Sequence, residues 1–515
     1  VREAAIVAWL AATAGGNRIA QLSTTAVAFL LFFLAATVLS FARHSIYGLM
    51  LYAFVLYVHP HTQWWGASLP DLRWSLLSAL LAFAASFVHP PNKDSLQLLK
   101  RPIVIAILFF VGWIVVQTAW AINVNRHLIL VNIMPKYVLL MVLMYRCIDT
   151  PEHLRLFLWA HVLGASYMGW DAYSSYQGGR FEGFGGPDLD EANAGALQII
   201  TAVFCAAGLF LAGNWRERAV LVVLGGIMVN GVVLTQSRSG FLAAAIGGVM
   251  FNYFAPSRYR WRVMALSVVA LVGFAALADE GFWERIDTIR YGGERVEGVD
   301  TGGGRLEAIQ AQVRMFRDYP MGCGHRCTAE LSTIYMEDWM LTGVGDERGR
   351  SSHNTAMTLL VEQGVPGIFF YLLFLAWLAI VLTRLHGQLR QLRDPLPSFL
   401  PGIAAALTAV TVGDMFVDYL KLEVRFWLIG LIMVVVNLHW LETQKQRAMD
   451  ATLARQGGNL VADAESGADI PADGPRPSAT PADSPNNPAP GTAFGSVVQR
   501  APIRSRYRNN SAGGS

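Results

Sequence analysis

The sequence predicts an all-α polytopic membrane protein with 12–14 transmembrane helices and one long periplasmic loop that itself contains helices. Three observations carry this. The 515 residues are 54% hydrophobic and only 15% charged, with a mean hydropathy of +0.38; a soluble chain of this length carries more charge. Apolar runs recur that approach the roughly 20 residues a helix needs to cross a bilayer. The alternation in about ten-residue segments that marks a membrane β-barrel is absent.

Taken in order, the apolar runs predict helices at 4–14, 24–41, 45–59, 72–89, 102–121, 128–147, 154–173, 191–212, 217–235, 239–254, 261–278, 355–383, 398–418 and 425–442. Arg2 precedes the first run, but hydrophobic segments simply continue after it, so no cleaved leader is expected. Basic residues sort the short loops. Lys93, Lys100, Arg101, Arg146, Arg155, Arg216, Arg218, Arg258, Arg260, Arg262, Arg384, Arg390, Arg393, Lys445 and Arg447 all fall in alternate loops. By the positive-inside rule these are cytoplasmic. The loops at 59–73, 180–190, 237–238 and 279–354 then face outward, with Arg126, Lys421 and Arg425 as a basic minority among them. The expected domains are a transmembrane domain at 1–442, a periplasmic loop within it at 279–354, and a cytoplasmic, largely disordered tail at 443–515. Residues 456–495 in that tail are rich in Pro, Ala, Gly, Ser and Asp, too poor in large apolar groups to offset chain entropy.

Cys147 and Cys205 sit in apolar runs and read as small packing residues. Cys323 and Cys327 lie in the long loop, where pairing and two free thiols are both open. With His325 between them the spacing lacks the paired pattern of a zinc site, and no metal is expected. No Walker loop and no dinucleotide fingerprint occurs, and no cofactor or nucleic-acid partner is expected.

Four outward-facing places gather polar groups. Arg180, Phe181, Glu182, Gly183 and Phe184 lead into Pro187, Asp188, Asp190, Glu191 and Asn193 at a helix start. Leu234, Thr235, Gln236, Ser237, Arg238, Ser239 and Gly240 make a tight turn, and an arginine so near the membrane is expensive without a partner. Arg305 opens a run in which Leu306, Ile309, Val313 and Phe316 recur at helical spacing and are expected to face the protein or the interface. His353 and Asn354 precede a run holding Glu362, Gly364, Pro366 and Gly367. Singly, each has a plain reading as anchor, cap, solvated loop residue or helix bend. Together they converge on one membrane face. Arginines there suit a diphosphate, which guanidinium groups bind in a bidentate way. A histidine accepts a proton from an attacking hydroxyl near neutral pH.

These motifs resemble the O-antigen ligase/O-antigen polymerase superfamily. The resemblance rests on the Arg-Phe-x-Gly-Phe run from Arg180, the Thr-x-Ser-Arg turn at Arg238, the Gly-Arg-Leu run at Arg305 with Asp318, Tyr319, Pro320, Met321 and Gly322, and the block from His353 to Gly367. Tyr57, Val58, His59 and Pro60 also look like O-glycosylation ligases associated with exosortase systems. The resemblance implies an inverting, metal-independent glycosyltransferase of a bacterial inner membrane. Its donor would be a glycan on undecaprenyl diphosphate, its acceptor lipid A–core, a protein hydroxyl or another glycan. Arg180, Arg305 and His353 match the family's essential pair of arginines and histidine, Arg238 matches its Ser-Arg turn, and Asn354 is expected to bind the diphosphate with Arg180, Arg238 and Arg305. The family's Pro-Asn pair is altered here, because Asp188 follows Pro187 and Asn193 comes later. The tail after Trp440 has no family counterpart. A ligase is the first expectation and a polymerase using the same site the second. A transporter is the third, for which Asp414 and Asp418 at i, i+4 spacing are the only support, and these two are expected to pair with Lys421 or Arg425.

Overall fold

The computed structural model describes residues 23–91, 101–184, 191–278, 280, 283, 305–341, 353–389, 395–418 and 420–466; for Arg305 and from residue 454 onward it describes backbone only. Among them every regular element is helical. The order is α1 (Thr24–Ala42), α2 (Ile46–Val58), α3 (Trp74–Val88), α4 (Pro102–Gln117), α5 (Val124–Cys147), α6 (Pro151–Ser175), α7 (Ala192–Ala212), α8 (Trp215–Leu234), α9 (Arg238–Phe254) and α10 (Arg260–Leu277). Then come α11 (Arg305–Asp318), α12 (Cys327–Tyr335), α13 (Asp338–Leu341), α14 (Thr355–Glu362), α15 (Gly364–Leu389), α16 (Leu396–Gly413) and α17 (Glu423–Ser466). Eight are long and apolar enough to cross a membrane: α1, α5, α7, α8, α10, α15, α16 and the first part of α17. The protein is a multi-pass membrane protein. Helices α2, α3, α4 and α9 fall below eighteen residues, and α6 is more polar.

The predicted segment at 4–14 lies outside the described residues. The other thirteen coincide with helices, with three differences. The run at 355–383 is broken at Gln363 and Gly364 into α14 and α15, because Gly364 adopts φ +67°. The run at 398–418 ends at Gly413, where Asp414 turns to meet Arg425. The last helix continues to Ser466 through part of the stretch expected to be disordered, since its Ala, Leu, Glu and Gln residues are good helix formers. The chain divides into two compact units, Val1–Ala448 and Met449–Ser515.

Local sequence explains the starts. Asn123, Thr150 and Ser237 each accept a backbone N–H as N-cap, and Asn214 with Glu217 forms a full capping box at α8. Pro102 and Pro151 stand in the first turn of α4 and α6, where no N–H is needed.

Helices α7 and α16 form the centre; 83% of each spanning window is buried, against 6% for α10. Small residues let backbones approach there, as expected where lipid removes the hydrophobic drive between helices. A Cβ on Gly402 of α16 would lie 2.4 Å from the Phe204 carbonyl of α7. A buried polar chain crosses the same core. Gln198 donates to the Tyr57 hydroxyl at 2.7 Å, that hydroxyl meets His161 Nδ1 at 2.6 Å, and His161 Nε2 meets Thr201 at 3.1 Å. It pins α2, α6 and α7 in one register, because groups left unpaired inside a membrane cost several kcal/mol each. Large apolar side chains such as Phe109, Val223, Leu271 and Phe369 stay exposed on outer faces, as a lipid-facing surface requires.

The turns sort to two ends of the bundle. At one, Arg146 donates to Ser86, Arg155 pairs with Glu217, and Arg262 donates to the Leu211 carbonyl. At the other lie the turns that carry the predicted site.

Candidate functional site

The second end is built around the break between α14 and α15. Breaking a helix frees carbonyls, and each needs a donor. Here Gln117 at the end of α4 donates to the Glu362 carbonyl at 2.7 Å, Trp113 donates to Gln363 at 2.9 Å, and the Gly324 N–H donates to Glu362 at 3.0 Å. The loop at 319–325 is threaded through this break. Val365 N–H donates to Pro320, Trp120 donates to the Gly322 carbonyl at 3.0 Å, and Ile122 N–H donates to Cys323. The approach is too close for side chains. A Cβ on Gly364 would sit 2.3 Å from Met321, and one on Gly322 2.4 Å from Gln117; both glycines have positive φ. Glu362 is buried and pairs with His325 at 2.9 Å. Cys323 and Cys327 form a disulfide, with Cα atoms 5.8 Å apart, which settles the open pairing and removes both as free ligands. The motif glycines are therefore framework.

The segment 305–341 packs as a small layer over this framework. The buried face of α11 is Ala308, Ala311, Gln312 and Met315, packed with Cys323, Cys327, Leu331 and Val361. Of the expected stripe, Phe316 packs against this cluster. Leu306 and Val313 are exposed, because the helix settles on its small residues, with Gln312 donating to Thr358 of α14 at 3.3 Å. Tyr335 donates to the Asp318 carboxylate at 2.5 Å, and that bond pushes the phenol up to about 12.

His353 and Asn354 sit at the start of α14. Asn354 is its N-cap: Oδ1 accepts from the Met357 N–H at 3.0 Å, and Nδ2 donates to the Met415 carbonyl at 3.4 Å. The carboxamide is thus engaged on both sides with the fold. His353, one residue earlier, is exposed with φ +51°. That left-handed conformation is uncommon for a residue with a Cβ and clusters at functional turns. Beneath it, Thr355 N–H donates to the Asp414 carbonyl at 2.7 Å and its hydroxyl to Val417 at 2.6 Å. The Asp414 carboxylate takes both Arg425 terminal nitrogens and the Tyr371 hydroxyl. Asp414 and Arg425 are each about 3% exposed, so this is a buried, bidentate pair holding α16, α17 and the His353 turn together.

Arg238 opens α9 behind its N-cap, Ser237. The turn is clasped to α7. Asn193 Oδ1 accepts from Ser237 at 2.7 Å and from Ser239 at 3.2 Å, and its amide donates to Glu191. Asn193, which follows the altered Pro187-Asp188 pair, therefore clasps the Arg238 turn to α7. Gln236 is again left-handed, at φ +46°. Phe181 N–H donates to the Leu234 carbonyl, which sets the Arg180 segment beside this turn, and Phe184 lies hard against Gly195 of α7. Arg180 meets Glu182 at 3.3 Å, while its Nε is buried and finds no acceptor among the described residues. Contacts run onward from here: Gly240 touches Ala196, Leu197 touches Gly413, and Asp414 holds Thr355. So Arg180, Arg238 and His353 are joined through the first turns of α7 and the end of α16. Arg305 is the first residue of α11; its side chain, with Gly302, Gly303, Gly304, Pro187, Asp188 and Asp190, lies outside the described residues.

The expected pairing of Asp414 with Arg425 is found at this end, whereas Gln117, Trp113, Trp120 and Tyr371 were not anticipated as parts of it. The available signal was a polar side chain inside an apolar run, which always needs a partner.

A family model described as O-antigen ligase (Wzy_C) matches residues 220–372. The matched residues include Arg238, Arg305, His353 and the broken helix, while Arg180, Asn193 and Arg425 lie outside them. No curated protein matches the chain.

Proposed function

We propose, on the premise of that O-antigen ligase match, that the protein is a membrane glycosyltransferase that moves a glycan from undecaprenyl diphosphate to lipid A–core or a protein hydroxyl on the periplasmic face. One observation carries the reading. The turn bearing Arg238 is left-handed at Gln236 and clasped to α7, and the turn bearing His353 is left-handed and hung on Asp414 at the end of α16, which packs on α7. Strain held at two joined turns favours a shared site over two unrelated loops.

In this mechanism an acceptor hydroxyl attacks the anomeric carbon of the donor. The new glycosidic C–O bond forms as the bond to the diphosphate breaks, with inversion. His353 takes the hydroxyl proton. Arg180, Arg238 and Arg305 hold the diphosphate, whose charge grows as it leaves. The buried Nε of Arg180 is a donor suited to such an oxygen. Asn354, engaged as a cap, positions His353. The disulfide between Cys323 and Cys327 supports a non-cytoplasmic location for this end, since cytosolic thiols stay reduced.

The test is transfer by the purified full chain from a defined undecaprenyl diphosphate glycan, with lipid A–core, a protein acceptor or no added acceptor. Transfer to one acceptor, lost in His353→Ala and in Arg305→Lys, is expected, because a point charge does not reproduce the guanidinium fork. Products that grow by donor repeats alone would make it a polymerase. Flux of labelled donor across proteoliposomes without transfer would overturn the enzyme reading in favour of a transporter.

A further inference from the structure

The end of the bundle opposite the candidate site carries a cavity. It has a volume of about 310 Å³ and lies between the end of α9, the start of α10 and the end of α15. Asn252, Tyr253, Ser257, Arg260 and His386 supply its polar wall, and Val263 and Met264 its apolar one. No carboxylate lines it among the described residues. The segment 255–262 holds three arginines and no acid.

The three arginines differ in what they do. Arg262 donates to the Leu211 carbonyl at 3.0 Å and stacks on Tyr259. Arg258 stacks on the same ring, 4.8 Å from its centroid. Tyr259 in turn accepts from Ser398 of α16 at 3.0 Å, so the turn is fixed to the core of the bundle. Arg260, the one that lines the cavity, is exposed, and its side chain makes no hydrogen bond or ion pair with any described residue. His386 is held across from it, stacked on Tyr253 at 5.4 Å and edge-on to Phe254 at 5.3 Å.

The surroundings fix the depth. Trp261 is 79% exposed and Tyr253 59%, and amphipathic rings of this kind sit at the head-group level of a bilayer. Met264 is exposed on the apolar wall, toward the acyl region. A cavity at that depth, basic and hydroxyl-lined above, apolar below and free of carboxylates, matches a phosphodiester with acyl chains attached.

We propose that this cavity binds the head group of an anionic phospholipid, with Arg260 as the principal phosphate ligand and Ser257 and Asn252 as neutral donors. The lipid bridges α9, α10 and α15. That matters for α10, which has almost no buried surface of its own.

The test is native mass spectrometry of the delipidated full chain in detergent, titrated with phosphatidylglycerol or with phosphatidylcholine of the same acyl chains. One phosphatidylglycerol is expected to be retained in preference to phosphatidylcholine. Arg260→Gln should weaken that retention about tenfold, the loss of one charge-assisted hydrogen bond. Arg384→Gln removes the same charge from the same end without touching the cavity, and should retain the lipid as wild type does. Equal weakening in both variants, equal retention of the two lipids, or no change in Arg260→Gln would each overturn the proposal. Inorganic phosphate supplies the remaining arm. If millimolar phosphate displaces the retained lipid and raises the melting temperature as much as phosphatidylglycerol does, the site is one for free phosphate.

Discussion

His353 joins chemistry and backbone strain in one residue, and the two can be separated by substitution. Its φ of +51° costs roughly 1–2 kcal/mol for a residue with a Cβ. Glycine removes that cost but adds about 0.5–1 kcal/mol of chain entropy. His353→Gly should therefore melt within about 1 kcal/mol of wild type while transferring no glycan; His353→Ala should be equally inactive and less stable. Normal turnover in the glycine variant would remove the imidazole from the mechanism. Asn193 offers a second test at this scale. Its carboxamide takes two serine hydroxyls from the turn that aims Arg238. Asn193→Ala should lose about 1–3 kcal/mol by orphaning that buried turn, with KM for the lipid-linked donor rising more than kcat falls. An unchanged KM would mean that the turn keeps its shape without the clasp.

Among the elements, α14 is short and derives its position from its neighbours. Its first residue hangs on Asp414, its last carbonyls on Gln117, Trp113 and Gly324. Asp414→Ala should cost about 3–5 kcal/mol, because it leaves Arg425 charged and alone in the bundle. Replacing both partners, Asp414→Leu with Arg425→Met, should recover much of that stability yet not activity, since Tyr371 and the His353 turn lose their shared anchor; thermal melts beside transfer assays would read both. This element also shows what sequence can and cannot disclose. The start of α14, the glycine-bearing run after it and the charged turn at Arg238 are legible, because caps, breaks and arginines are local signals. The donors that complete the break are not. Gln117 lies 245 residues from Glu362 in the chain, inside a run that reads as ordinary membrane helix. The buried stripe of α11 was misread in part for a related reason: periodicity favours the larger residues Leu306 and Val313, whereas close packing against α14 selected Ala308 and Ala311.

At the level of the whole molecule, the alternate-loop rule and the contacts agree on which turns share an end, and sidedness is open to direct labelling. Ile334 is 74% exposed at the end carrying the disulfide, and Trp261 is 79% exposed at the other. In intact cells a membrane-impermeant maleimide should label Ile334→Cys and spare Trp261→Cys; the reverse pattern would turn the protein over in the membrane and with it the proposed site. The two ends also differ in how they are made. The polar segment at 305–341 looks, by composition, like a piece of soluble protein grafted between membrane helices. Its inner surface says otherwise. The carbonyls of Gly322 and Cys323 are capped by Trp120 and Ile122, His127 receives the His325 N–H, and Asn123 grips Glu330. A membrane hairpin completes this layer. Expressed alone, the segment should give the circular dichroism of an unfolded peptide, and no soluble surrogate should exist for raising antibodies or screening inhibitors. Evolution, under the same constraint, would not be free to exchange this layer between relatives without also carrying the turn between α4 and α5 along with it.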